Sequence, residues 1–246
     1  MLQSCYFDVN YCGIVNFTSI FLLKARNGEA AIVDTGSPHS FPLIQKFLQN
    51  KGIKKEQLTK IFLTHSHLDH SGNASLFTHY YPHIKIYLHP LTAKLMQNPS
   101  YLIKRMKNTM RNYNQEFSDK VKPISKKFLH PTYDNMLIKL GDSNIIKVIN
   151  TPGHSIDHIS FYDISSKTLY SGDGMGQYYK DISSKTSVFS CPPLSIPKCV
   201  PSLIKKIKKL NPNRLGLGHF GYVDDVDRHI YQCKIFINKY LKIIED

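Results

Sequence analysis

Three histidines and one aspartate fall close together in the run THSHLDH at residues 64–70 of this 246-residue chain. The apolar stretch directly before the run predicts a buried strand. Imidazole and carboxylate groups are ordinary zinc ligands. In an extended segment His65 and His67 point the same way, because side chains alternate with a period of two residues. A tight turn after His67 can direct Asp69 and His70 towards the position of a second metal ion. The run therefore favours two adjacent metal ions at the end of a strand over a single ion.

The spacing HxHxDH resembles the signature of the metallo-β-lactamase superfamily. That family carries four further short motifs in a fixed order, and this chain has a counterpart of each. The counterparts are DTG at 34–36, GH at 153–154, GD at 172–173 and GH at 218–219. The resemblance therefore extends from Asp34 to His219, which is most of the chain.

The resemblance implies a role for each matching residue in a binuclear metal site. One metal ion would be bound by three histidines, His65, His67 and His154. The other would be bound by Asp69, His70 and His219. Asp173 would bridge both ions. Asp34 would lie outside the ligands and orient a ligand histidine or brace its loop.

The resemblance also implies a reaction. Two divalent cations about 3.5–4 Å apart lower the pKa of a shared water towards about 7. We therefore expect a hydrolase in which a metal-bridging hydroxide attacks a small ester, thioester or lactone, with Asp69 as the catalytic residue that orients the hydroxide and moves its proton. The expected metal is zinc, with iron or manganese as alternatives. Tyr178, Tyr179 and Lys180 follow Asp173 closely and are candidates either for the substrate pocket or for a simple turn.

Other branches of the superfamily stay open, because one fold supports many activities. The alternatives are a phosphodiesterase or RNA-processing nuclease, and a mononuclear-iron persulfide dioxygenase. The complete second ligand group argues against the mononuclear enzyme. Gly176 stands where homoserine lactonases commonly have a tyrosine, and the segment after His219 is shorter than in glyoxalase II enzymes. A protein that binds nucleic acid without catalysis is the non-enzymatic alternative, but such a protein has no evident need for two clustered metals.

The hydrophobic pattern predicts two strand-rich halves with flanking helices, which indicates helices packed outside two facing sheets. With the resemblance, we expect an α/β (α+β) fold arranged as a four-layer αββα sandwich. Residues 1–246 would form one metallo-β-lactamase-like domain with a helical insertion at about 91–130. In that insertion Leu102, Met106 and Met110 have helical spacing. The predicted amphipathic helix either packs on the domain or serves as a lid or dimer arm.

Composition limits the partners and the location. The net charge is +14, but 27 of the 32 basic residues are lysines spread along the chain, whereas a phosphate-binding surface favours arginine. We interpret the charge as compositional bias, so a small-molecule substrate is expected and nucleic acid is less favoured. The five cysteines form no CxxC pair, which is typical of a reducing compartment. Without an apolar run of about 20 residues or a basic leader, we expect a cytoplasmic protein with no membrane span. A homodimer stays open.

Overall fold

The computed structural model describes residues 2–11, 13–109, 119–179, 186–188 and 197–245. Two mixed sheets dominate it. The first sheet has six strands in sequential order, β1 Gln3–Asp8, β2 Ser19–Lys24, β3 Ala30–Val33, β4 Leu58–Phe62, β5 Lys85–Leu88 and β6 Leu129–Pro131. The second sheet has the order β13-β12-β10-β9-β8-β7, with β11 paired to β10. Its strands are β7 Leu137–Leu140, β8 Asn144–Asn150, β9 Ile159–Asp163, β10 Thr168–Tyr179, β11 Thr186–Val188, β12 Arg214–His219 and β13 Gly221–Val223.

Helices cover the outer faces of both sheets. In the described ranges the α-helices are α1 Phe41–Asn50, α2 Leu68–Ser71, α3 Ala74–Tyr80, α4 Pro90–Gln97, α5 Ser100–Thr109, α6 Val200–Leu210 and α7 Val226–Glu245. Short 3-10 turns occupy Pro38–Ser40, Lys55–Gln57, Lys126–Phe128 and Pro197–Cys199. Among the helices of these ranges, none is both long and apolar enough to cross a membrane.

Three apolar clusters mark the interfaces between the layers. The middle cluster lies between the sheets, where the ring of Phe21 meets Tyr170 and the ring of Phe62 meets Phe161. A second cluster packs α1, α3, α4 and α5 on the first sheet, and a third packs α6 and α7 on the second sheet. Helix, sheet, sheet and helix therefore follow one another, and the predicted αββα sandwich is confirmed.

The predicted amphipathic helix is interrupted in the structure. Asn98 and Pro99 separate α4 from α5, because a residue before proline is disfavoured in the helical conformation. Leu102 and Met106 are buried against the first sheet's outer cluster, so α5 packs on the body of the protein. Met110 lies outside the described residues.

The strand directions bring the predicted motifs to one edge of the sandwich. Strands β3, β4 and β5 are parallel, so their carboxyl ends share an edge. In the second sheet β12 is parallel to β10. Strand β8 runs in the same direction as β10, because β8 and β10 are each antiparallel to β9. The residues that follow β3, β4 and β8, and the last residue of β12, therefore collect at one place.

Candidate metal centre

The ligand run leaves β4 and then reverses direction. After Leu63, whose N–H still bonds to the carbonyl of Tyr87, the chain leaves regular structure, bends at Ser66 and is extended at His67. The single helical turn of α2 begins at Leu68 and places Asp69 and His70 on the side that faces the second sheet's motifs. Because the backbone changes from extended at His67 to helical at Leu68, His65 and His67 point in a different direction from Asp69 and His70.

Three histidines converge at the first point. His65 Nε2 and His154 Nε2 each lie 2.9 Å from His67 Nδ1. Burial lowers the pKa of all three histidines below the ordinary value, in the case of His154 to about 4. The three rings are therefore neutral near pH 7, and neutral imidazole nitrogens offer lone pairs to a metal ion.

Two histidines and an aspartate converge at the second point. Asp69 Oδ2 lies 3.2 Å from His70 Nε2 and 3.4 Å from His219 Nε2. Burial alone would raise the pKa of Asp69, but the two histidines outweigh it and hold that pKa well below its ordinary value. Burial alone would lower the pKa of His219, but Asp173 and Asp69 raise it to about 9.

Asp173 lies between the two groups. Its Oδ1 is 3.4 Å from His70 Nε2, and its Oδ2 is 3.4 Å from His154 Nε2 and 3.5 Å from His219 Nε2. The side chain is buried, yet the neighbouring histidines keep its pKa well below the ordinary value, so it is ionised. Within the described part of the chain, Oδ1 has no hydrogen-bond partner.

Buried acceptors orient the ligand rings from behind. His70 Nδ1 donates to Asp34 Oδ2 over 3.1 Å, and the Thr64 hydroxyl donates to the same carboxylate. His65 Nδ1 in turn donates to Thr64 Oγ1 over 3.0 Å, and His219 Nδ1 donates to the carbonyl of Phe17 over 2.7 Å. Each of these bonds turns Nε2 towards the centre, where it offers a lone pair to a metal ion when the ring is neutral.

The arrangement fits two divalent cations. Neutral ring nitrogens within contact distance and an ionised, buried carboxylate oxygen without a hydrogen bond are costly unless a positive charge satisfies them. The structure thus presents two His/Asp ligand groups, with Asp173 between them, as a candidate binuclear metal site. The nitrogen and oxygen ligands suit zinc, iron and manganese alike.

The family model of the metallo-beta-lactamase superfamily matches this chain over residues 13–219. The chain belongs to the metallo-beta-lactamase superfamily. The family match and the two ligand groups together identify this cluster as the candidate functional site of the chain.

Individual superfamily members are distant from this chain. It is 25% identical over 209 residues to the Beta-lactamase-like protein 2 homolog of Caenorhabditis elegans, covering 85% of this chain and 58% of that protein. It is 27% identical over 173 residues to a hydroxyacylglutathione hydrolase of Buchnera aphidicola subsp. Acyrthosiphon pisum, covering 68% of this chain and 53% of that protein. The chain thus spans less than two thirds of the length of these curated relatives.

Solved structures of the superfamily share the fold. The archaeal metallo-beta-lactamase superfamily protein ST1585 from Sulfolobus tokodaii superimposes with a TM-score of 0.67 at 18% identity. The match covers 100% of this chain and 86% of that protein.

Of the three predicted pocket residues, Tyr178 is the one whose side chain the structure describes. Tyr178 is half-buried and packs against the apolar cluster under α6 and α7. Tyr179 is the last residue of β10, and Lys180 lies outside the described residues. Their place in a substrate pocket stays a prediction.

One buried histidine near this superfamily centre was not predicted as a site residue. His158 Nδ1 donates to Thr151 Oγ1 over 2.8 Å, and His158 Nε2 accepts from the N–H of Gly174 over 3.1 Å. Burial lowers its pKa to about 3, so the ring is neutral and can accept. Because Gly174 follows Asp173, His158 supports the backbone beside the central carboxylate. Its position four residues after His154 was the one sequence signal for it.

Proposed function

We propose that this chain is a binuclear metal-dependent hydrolase that cleaves a small ester, thioester or lactone. The convergence of two His/Asp ligand groups on Asp173 is the observation that carries the proposal. The relative named hydroxyacylglutathione hydrolase supports an acyl substrate. A cytoplasmic location belongs to the same proposal, supported by an odd number of cysteines without a CxxC pair.

The ligand assignment follows the two groups. His65, His67 and His154 would hold one ion, Asp69, His70 and His219 the other, and Asp173 would contact both. We propose zinc, because three imidazoles form a common catalytic zinc site. Bound there, two divalent cations lower the pKa of water towards about 7 and stabilise negative charge that develops on the substrate oxygen.

Asp69 is the residue best placed to accept a proton from the attacking water. Its side chain is 23% exposed, whereas the side chains of His70 and Asp173 are buried. Oδ2 faces His70 and His219, and we assign Oδ1 to the attacking water, whose proton it accepts. The low pKa of Asp69 keeps the carboxylate ionised and ready to orient that water.

The ring of Phe17 protects one side of the centre. Its centroid lies 4.8 Å from the His219 ring, and its backbone carbonyl accepts from the same histidine. The loop before β2 therefore both orients His219 and excludes water from that ligand.

The test combines metal content with hydrolysis. We expect about two zinc ions per chain by elemental mass spectrometry, and turnover of at least one substrate in a panel of thioesters, lactones and phosphodiesters. His67→Ala should remove metal and lower turnover by more than about 100-fold, while the chain stays folded. His79→Ala is the matched control, because His79 is exposed on α3. Unchanged turnover in His67→Ala would overturn the mechanism, and one iron per chain with persulfide-dependent oxygen uptake would replace it with a dioxygenase.

One observation favours a phosphodiesterase as the second candidate. Burial, and to a lesser extent the positive charge of Arg105 on α5, lower the pKa of His67, so the charge of Arg105 acts at the centre. A cation there suits a substrate with an anionic group. Turnover confined to the phosphodiesters of the panel would decide for this candidate.

A further inference from the structure

A second buried carboxylate, besides Asp34, contacts the ligand run. Asp157 is 4% exposed and is not among the candidate ligands. Its Oδ2 accepts from the N–H of Ser66 over 3.0 Å and from the Thr92 hydroxyl over 2.8 Å. One oxygen atom thus joins the ligand run to the first helix of the predicted insertion.

Ser66 is the residue between the two ligands His65 and His67. Its N–H is held by Asp157, and its carbonyl accepts from the Ser71 hydroxyl over 2.9 Å. Both backbone groups of Ser66 are therefore fixed by buried side chains. Because the N–H lies in the peptide bond to His65 and the carbonyl in the peptide bond to His67, fixing both groups restricts the backbone from which the two histidine side chains project.

Asp157 also belongs to the loop that carries His154. Two residues separate Asp157 from His154, so the bond to Ser66 sets the His154 loop against the ligand run. Burial alone would raise the pKa of Asp157, but the hydrogen bonds from the Ser66 N–H and the Thr92 hydroxyl help to keep it below the ordinary value. The ionised form accepts both donors at once, and charge-assisted hydrogen bonds are the stronger kind.

Thr92 connects this carboxylate to a packed helix. Thr92 is fully buried in α4, and its neighbour Ala93 and then Met96 pack in the outer cluster of the first sheet. The position of α4 is therefore set by the apolar packing. The hydrogen bond from the Thr92 hydroxyl therefore fixes Asp157 relative to α4.

We propose that Asp157 is a positioning residue for the three-histidine group, held in place by Thr92 of α4. It fixes the ring directions of His65 and His67 through Ser66 and holds the His154 loop beside them. The inference rests on the proposed metal site but not on the identity of the substrate.

The experiment uses the full chain and zinc itself as the probe. Zinc affinity is measured by chelator competition for the wild type, Asp157→Ala and Asp157→Asn. In Asp157→Ala we expect one of the two zinc ions to bind about 10–100-fold more weakly, with the other unchanged. Asp157→Asn retains an oxygen that accepts both hydrogen bonds, so it should recover most of that affinity.

Matched controls separate positioning from general stability. Asp163 is equally buried and accepts from the Ser165 and Ser166 hydroxyls at the far end of β9. Asp163→Ala should lower the melting temperature without changing zinc affinity. If Asp157→Ala does not fold, Thr92→Val and Thr92→Ser take its place, and only the valine variant should weaken zinc binding.

The outcomes distinguish the two proposals. Wild-type zinc affinity in Asp157→Ala, or in Thr92→Val, would overturn the positioning role alone. An equal loss in Asp163→Ala would overturn it as well, because the effect would then be general destabilisation. A wild-type chain that binds no zinc after reconstitution would overturn the proposed function together with this inference.

Discussion

Gly218 shows how tightly the centre is built at the level of single residues. A Cβ atom at this position would lie 2.6 Å from Asp173 Oδ1 and 2.6 Å from His70 Cε1. Both atoms belong to proposed ligands that are buried and held by other contacts, so neither can move aside at low cost. The glycine is needed for space beside the ligands, since its backbone φ is not in the left-handed region.

We predict that Gly218→Ala displaces Asp173 or His70 and lowers metal content, with turnover reduced by about 10–100-fold. Gly52→Ala is the control, because a Cβ atom there meets nothing within 4 Å. Gly52 has a φ of +65°, so alanine there should cost about 1 kcal/mol of stability but no metal. Full metal content in Gly218→Ala, measured by elemental mass spectrometry, would contradict the prediction.

The proposed ligands could be predicted from sequence, whereas the residues that position them could not. The ligand types stand in short motifs, and their spacing after strands carries the signal. Asp157 and Ser66 are 91 positions apart, and Gly174 lies 16 positions from His158. Such contacts depend on how the two sheets face each other, and nothing in the local sequence marks an aspartate that accepts from a distant N–H.

At the level of elements, the hydrophobic pattern predicts the apolar strands well but misses three of the strands at sheet edges. The apolar runs at 85–88, 144–150 and 159–163 predict strands with the bounds that β5, β8 and β9 have. β1, β6 and β13 were not singled out, because they are short or lie at sheet edges, where side chains are only partly buried. The apolar run at 168–171 predicts a short strand, whereas β10 continues to Tyr179 through a register shift around Gly172 that the local pattern does not reveal.

We predict that Arg105 of α5 contributes to substrate selection and not to metal binding. Its neighbours Leu102 and Met106 anchor the helix, so removal of the cationic group should leave the fold intact. Arg105→Ala should raise KM about 3- to 10-fold for an anionic substrate, because roughly 1 kcal/mol is typical of one exposed ion pair. The metal content of the Arg105→Ala variant should equal that of the wild type. Lys104→Ala, an exposed neighbour on the same helix, is the control. Equal KM changes for neutral and anionic substrates would show that Arg105 has no such role.

At the scale of the whole molecule, one carboxylate joins the two sheets far from the candidate centre. Glu29 precedes β3, and its Oε2 accepts from the N–H of Gly141, in the turn between β7 and β8, over 2.6 Å. Its Oε1 accepts from Thr59 and Lys60 of β4. The αββα layering followed from strand rhythm and resemblance, but this contact spans 112 positions and depends on the packed sandwich.

Glu29 gives the sandwich a predictable dependence on pH. Burial alone would raise its pKa, but Lys60, Thr59 and the N–H of Gly141 together lower it below its ordinary value. The stabilisation is therefore present above the ordinary glutamate pKa and is lost as the pH falls through the lowered value. Glu29→Gln should reduce the free energy of unfolding by about 1 kcal/mol at neutral pH and by much less in acid. Urea unfolding of the wild type and of Glu29→Gln at several pH values measures the difference.

Glu56→Gln is the control. Because Glu56 is exposed, this variant should have the same free energy of unfolding as the wild type at every pH. A loss in Glu29→Gln that is the same in acid as at neutral pH would mean that the packing of the side chain, and not its charge, connects the sheets.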